Sequence, residues 1–276
     1  MYDFHNLDIN QRIEIEKGPS EAFNYNGHWL DQEIAGFQTL VTSGRHEFER
    51  AVNAPDRAGD GATYLSSRLT ARKIEVTFLL KAKTIAEYNI SFERLKEILA
   101  VPNVKFYFAD DPVYRYRGTV TSLKLDSGEL TTKGTIELEA SDPYRYSEPK
   151  TLAGNGTRIV VSDPALMYEQ TPIRLTFTPA TGVSNLTIQC GNKRISLNVG
   201  VLSGQPVTVD FDTLMVTVNR VESMMNVTLD SSIGDFYIHN GSEITFNVTG
   251  RYELIYEVKR LWKWSCLTGI NGCAVG

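Results

Sequence analysis

Residues 72–108 read RKIEVTFLLKAKTIAEYNISFERLKEILAVPNVKFYF, and the spacing of their apolar residues changes twice. Ile74, Val76, Phe78 and Leu80 alternate with Lys73, Glu75 and Thr77, the period of a strand with one buried face. From Thr84 to about Ala100 the spacing becomes helical. Ile85, Tyr88, Phe92, Leu95 and Leu99 fall at steps of three and four, which places them on one helix face. Thr84 and Glu87 have the spacing of a capping box, and Pro102 biases Val101 towards an extended backbone, so the helix has a start and a stop. At Val104, Phe106 and Phe108 the period returns to two. One helix packed across strands makes a scaffold, with no catalytic centre beside it.

Working outward, Gly44 to Leu65 loses the apolar period, and Arg45, Glu47, Glu49, Arg50, Asp56, Arg57 and Asp60 crowd around Pro55, Gly59 and Gly61. A stretch of that length is either a solvated mobile loop or an extended arm that docks on something. Beyond the helix, Tyr114 to Leu125 and Thr135 to Ala140 read as strands joined through Asp126-Ser127-Gly128. Arg12 to Glu16 gives a weaker strand signal. Ser147 to Thr157, with Pro149, Gly154 and Gly156, reads as a linker. Residues 158–261 are nearly all short alternating strands, among them Ile173-Leu175-Phe177, Leu186-Ile188-Cys190, Val207-Val209-Phe211 and Leu254-Tyr256-Val258. That spacing predicts an antiparallel sandwich. The expected class is mainly β: an N-terminal sandwich-like domain over 1–146 with one packed helix, then a second sandwich, with 262–276 as a tail.

Composition narrows the function. The chain has 276 residues, 42% of them hydrophobic and 10% aromatic, enough for two cores. Its 28 basic residues are outnumbered by 33 acidic ones, a net charge of -5, which argues against a general nucleic-acid or anionic-membrane binder. No secretory signal or membrane span is read, so the expected site of folding is a cytoplasm. Three cysteines (Cys190, Cys266 and Cys273) make no disulfide framework.

Catalytic patterns are missing. His5, His28, His46 and His239 are scattered without metal-ligand spacing, and there is no GxSxG elbow or phosphate-cradling loop. Asp110, Asp111 and Asp142 are the carboxylates to consider for glycoside hydrolysis, but an aspartate pair before Pro112 reads more simply as a polar turn. No enzyme activity, metal or cofactor is expected. Tyr114 and Tyr116, and Trp262 and Trp264, are candidates for sugar contact or for a subunit interface.

The order of these motifs carries a resemblance. The arm ends Gly61-Ala62-Thr63-Tyr64-Leu65, and the strand Arg72 to Phe78 and the helix follow it. Next come Asp111-Pro112-Val113-Tyr114-Arg115-Tyr116-Arg117-Gly118 and Asp142-Pro143-Tyr144-Arg145-Tyr146. Together they resemble the distal tail (Dit) proteins of long, non-contractile-tailed phages. Val209-Asp210-Phe211-Asp212, Met215 to Asn219 and Gly234-Asp235-Phe236 are similar, more loosely, to that family's galectin-like second domain.

The resemblance implies a hexameric ring at the tip of the tail tube. An extended belt, here about residues 44–65 with Arg45, Arg50, Arg57, Asp60 and Tyr64, would embrace the next copy. Implied partners are the chain itself, the tail tube protein, a tail-associated lysin or hub protein, and a baseplate or receptor-binding protein, with DNA only as passing cargo and no membrane. The implied place is the virion tail tip, after assembly in the host cytoplasm. The alternative is a module that holds cell-wall carbohydrate through its C-terminal sandwich.

Overall fold

A computed structural model describes residues 19–126 and 130–261. The fold is mainly β, and its contacts separate it into two compact units. Tyr146–Lys259 forms the second unit; the segments before and after it belong to the first. The Arg12–Glu16 strand reading and the residues Trp262, Trp264, Cys266 and Cys273 lie outside the described residues.

The first unit contains β1 (Phe23–Tyr25), β2 (His28–Trp29), α1 (Leu30–Glu33), β3 (Phe37–Ser43), β4 (Arg50–Asn53) and β5 (Ser66–Leu69). It continues with β6 (Arg72–Lys81), α2 (Ile85–Leu99), β7 (Val104–Phe108), β8 (Asp111–Leu125) and β9 (Thr131–Ala140), and the two-residue β10 (Arg145–Tyr146) follows. The main sheet runs in the order β2-β1-β7-β8-β9-β6-β3, and all its neighbours are antiparallel. β8 changes partner along its length, from β7 up to Gly118 to β9 from Thr119. Only a glycine fits there, because a Cβ on Gly118 would stand 2.6 Å from the Glu139 carbonyl oxygen.

The rolled sheet is stitched by one carboxylate. Asp31 accepts from the Phe23 N–H of β1 at 3.1 Å, and from the Thr39 N–H and hydroxyl of β3 at 2.6 and 2.7 Å. Inside lies an aromatic core in which Phe23 stacks on Phe108, Phe37 on Phe78, and Phe106 on Tyr116.

Helix α2 starts as its sequence predicts. The Thr84 hydroxyl accepts from the Glu87 N–H at 3.1 Å, while the Glu87 carboxylate reaches back to the Lys83 N–H at 2.9 Å. Its buried face differs from the expected one. Ser91, Leu95, Ile98 and Leu99 are buried, Tyr88 and Phe92 are partly so, and Ile85 is 72% exposed. Packing begins at Tyr88 and deepens towards the C-terminus, and Ser91 also donates to the Ala35 carbonyl. Replacing Thr84 with alanine should cost about 1 kcal/mol, read as a lower denaturation midpoint with an unchanged slope.

The second unit holds β11 (Lys150–Val160), β12 (Arg174–Pro179), β13 (Leu186–Cys190), β14 (Lys193–Leu197) and β15 (Val207–Asp210). β16 (Met215–Val218), β17 (Val221–Glu222), β18 (Glu243–Tyr256) and the short β19 (Lys259–Arg260), which runs past the unit's end, complete the chain. The path is β14-β13-β18-β12-β15-β16-β17, and β11 pairs with β18. This corrects the linker reading of Ser147 to Thr157, since from Lys150 to Gly156 the backbone pairs continuously with Tyr256 to Gly250. One of its glycines serves packing: a Cβ on Gly154 would meet the Tyr252 ring. Like β8, β18 changes partner along its length, from β13 to β12, and a Cβ on Gly250 would stand 2.4 Å from the Thr178 carbonyl oxygen.

A partly exposed triad fastens β11 to β18. Asp163 accepts from Lys150 Nζ at 2.6 Å, the Ala165 N–H at 2.9 Å and the Tyr256 hydroxyl at 3.2 Å. Burial pushes the Asp163 carboxyl up, but these donors and the Lys150 charge together bring it below the ordinary carboxylate range. Burial, then the facing Asp163 charge, pushes Tyr256 up to about 12, so it remains a neutral donor. A depressed folded pKa stabilises above the unfolded value and is lost as pH falls through the folded one. The melting temperature should therefore fall in acid, below about pH 4, and the gap between wild type and Asp163→Asn should close there.

Candidate functional site

β4 and β5 form a two-stranded hairpin that joins neither large sheet. The ladder continues past the strands, with Thr63 N–H to the Pro55 carbonyl, an Asp56–Ala62 bridge and Arg57 N–H to the Gly61 carbonyl. Gly61 takes φ +83° to close the tip. Much of the aperiodic stretch is thus a hairpin, called the arm below. Arg57 Nε donates to the Thr63 hydroxyl at 2.9 Å, and the Tyr64 and Ser67 hydroxyls lie 3.0 Å apart.

The arm has two unlike faces. In register, Arg50 opposes Leu69 and Val52 opposes Ser67, so these four share one face; Ala51, Asn53, Ser66 and Arg68 take the other. Val52 is 58% exposed, Leu65 59% and Tyr64 64%, and none of them joins either core. A two-stranded hairpin alone in water is marginal, and one with exposed apolar residues calls for a covering surface.

The root, by contrast, is locked. The arm leaves the sheet at Arg45 and returns at Arg72, and both side chains are buried. The Arg45 carbonyl accepts from Arg72 Nη1 at 2.6 Å and from the Tyr116 hydroxyl at 3.2 Å. Arg45 Nη2 donates to Asp110 at 2.6 Å, and its guanidinium lies 4.2 Å from the centre of the Phe108 ring. Arg72 donates further to the Pro143 and Leu261 carbonyls. Burial lowers the Arg72 pKa from its ordinary value, and Tyr116 opposes that shift.

These positions change the expected roles of several residues. Arg45 is not on the arm surface; it is a buried anchor, because its guanidinium finds Asp110 and an aromatic face at the root. Tyr116 is 3% exposed and stacked on Phe106, so it belongs to the core rather than to a sugar platform. Tyr114 is half-buried beneath the Arg145 guanidinium, 5.1 Å away. Asp111 is paired with buried Arg145 and Asp110 with Arg45, so neither faces a cleft as a catalytic carboxylate would. Arg50, Arg57, Asp60 and Tyr64 do lie exposed on the arm. Sequence reasoning missed Val52 and Leu65, whose signal was two large apolar residues inside a charge-rich stretch. It also missed Arg72, which no spacing marks.

Among the described residues, no group of three or more His, Cys, Asp and Glu is placed to hold a metal, and no helix is long and apolar enough to cross a membrane. A comparison with curated protein sequences gave no match. The fold resembles the crystal structure of SPP1 Dit, a protein described as a paradigm of hub adsorption apparatus in Gram-positive infecting phages. The TM-score is 0.73 at 18% identity, over 86% of this chain and 98% of that one. Two structures of a phage P2 baseplate in its activated conformation, with calcium and with strontium, give TM-scores of 0.48 and 0.49 at 10% and 11% identity. Each covers 83% of this chain and 92% of the other, a likeness too low to bear on the fold.

Family models decide the matter. Residues 37–140 match the phage tail protein RIFT-related domain, and residues 168–259 match the C-terminal domain of siphovirus-type tail components. These are families of structural tail proteins, not of enzymes. With both domains present in that order, the chain belongs to the siphovirus tail components as a distal tail protein of the Dit type.

Proposed function

We propose that six copies close into a ring at the tail tip, each arm lying across the next copy. The single observation that carries this is a rigid root bearing an ordered hairpin whose Val52 and Leu65 have no core of their own. A closed ring repeats one heterologous contact, so arm and receiving surface differ. The arm's Arg50, Arg57 and Asp60 would then supply the polar rim around the apolar centre. The ring sits between the tail tube and the baseplate, and the second unit is the platform for baseplate or receptor-binding proteins. A tail-associated lysin or hub protein would follow on the ring's other face.

Carbohydrate binding gains no support from the described residues, because Tyr116 is core and Tyr114 lies under Arg145. Averaged electron micrographs of the purified protein test the ring. Sixfold views with a central opening are expected; compact single particles at every concentration would refute it.

A further inference from the structure

The root of the arm holds more buried positive charge than its acceptors balance. Arg45, Arg72 and Arg145 are 4%, 5% and 2% exposed. Arg260 is half-buried, and its strand β19 pairs with β10, which holds Arg145. The four belong together. Arg72 bonds to the Arg45 carbonyl, and burial first, then the nearby Arg145 charge, lower its pKa against the pull of Tyr116. Among the described residues the four make two ion pairs, Arg45 with Asp110 and Arg145 with Asp111. Two positive charges are left without a carboxylate.

Arg72 satisfies its nitrogens on the Arg45, Pro143 and Leu261 carbonyls. The other three arginines do not. Arg45 Nε, Arg145 Nε, Arg145 Nη2 and Arg260 Nη1 are buried and have no acceptor, and among the described residues the Asn24 amide alone shares that condition. Buried charged donors are costly to leave unmet. The aromatic neighbours do not meet them. Tyr114 lies 5.1 Å from the Arg145 guanidinium and Phe108 4.2 Å from that of Arg45, but guanidinium N–H groups point outward in their own plane, past a ring over its face.

We propose that this cluster encloses one small divalent oxyanion, of the phosphate or sulfate class. Two negative charges balance the excess, and a tetrahedral ion offers acceptors in the several directions that donors from three side chains require. Water would supply acceptors without the charge. The unmet atoms are buried within the single chain. That excludes the phosphates of passing DNA and suits a free ion taken up from solution, with half-buried Arg260 at its point of entry. The ion would brace the arm, because the arm leaves the sheet at Arg45 and returns at Arg72.

The test titrates inorganic phosphate into the full-length protein, dialysed free of phosphate and sulfate, by calorimetry and by thermal melts. One site per chain is expected. Phosphate at about a hundred times its dissociation constant should raise the melting temperature of the first unit by roughly 8 °C. Sulfate should act alike, while chloride and acetate at the same ionic strength should not. Arg260→Gln leaves both ion pairs in place. It should melt no lower than wild type in chloride, since it removes an unbalanced charge, and should bind phosphate at least tenfold more weakly. Arg145→Lys keeps a charge beside Asp111 but loses the unmet Nε and Nη2, and the same tenfold loss is expected. Equal stabilisation by chloride would reduce the effect to screening and overturn the site. Undiminished phosphate binding in both variants would place the ion elsewhere, and no saturable response would leave water as the acceptor; either result overturns the site too.

Discussion

Changing Val52 and Leu65 together to aspartate should release the ring into single chains without lowering the melting temperature. Both side chains are more than half exposed in the single chain, so the fold loses little with them. In a ring junction they would be the buried centre, and losing that burial removes about 4 kcal/mol per contact, roughly a thousandfold in dissociation constant. Placing carboxylates there adds a desolvation cost on top. Light scattering on a sizing column reads the mass and a thermal melt reads the fold. An unchanged assembly mass in the double variant would remove the arm from the interface. Deleting Asn53 to Gly61 is a coarser version, expected to weaken assembly and leave the second unit folded.

The other large effect is expected at Asp31. Removing its carboxylate leaves the Phe23 and Thr39 N–H groups without their acceptor, and both residues are almost fully buried. An unsatisfied buried donor costs roughly 1–3 kcal/mol, so Asp31→Ala should lose about 3–4 kcal/mol in the first unit. The second unit should be untouched, giving a urea transition that splits in two. Asp31→Asn keeps one acceptor oxygen but points an amide at a donor, so it should recover only part of the loss. A cost below about 1 kcal/mol for the alanine variant would show that water replaces the carboxylate and that the sheet does not depend on the stitch.

Why some of this was readable in the residues and some was not has a physical basis. The helix after Thr84 announces itself because cap, period and terminating proline agree. Its buried face was less readable, since Ile85 satisfies the period but lies before the packed stretch that starts at Tyr88, and a polar Ser91 takes a core position by bonding to Ala35. The arm's limits show as a loss of apolar alternation. Its hairpin does not, because a strand with no buried face has nothing to alternate. Gly154 and Gly156 look like linker residues until Tyr252 is seen lying on the first of them. Arg45 looks like one more charge of the arm, and only Asp110 and Arg72, distant in sequence, make it the anchor. The stitch at Asp31 joins strands that no local pattern relates.

Every role proposed for the arm depends on its closing a ring of identical chains. The mass of the purified full-length protein by light scattering, measured across concentration and salt, tests it most directly. Six times the single-chain mass, or a climb towards it as concentration rises, is expected. A constant single-chain mass up to the highest soluble concentration would contradict it.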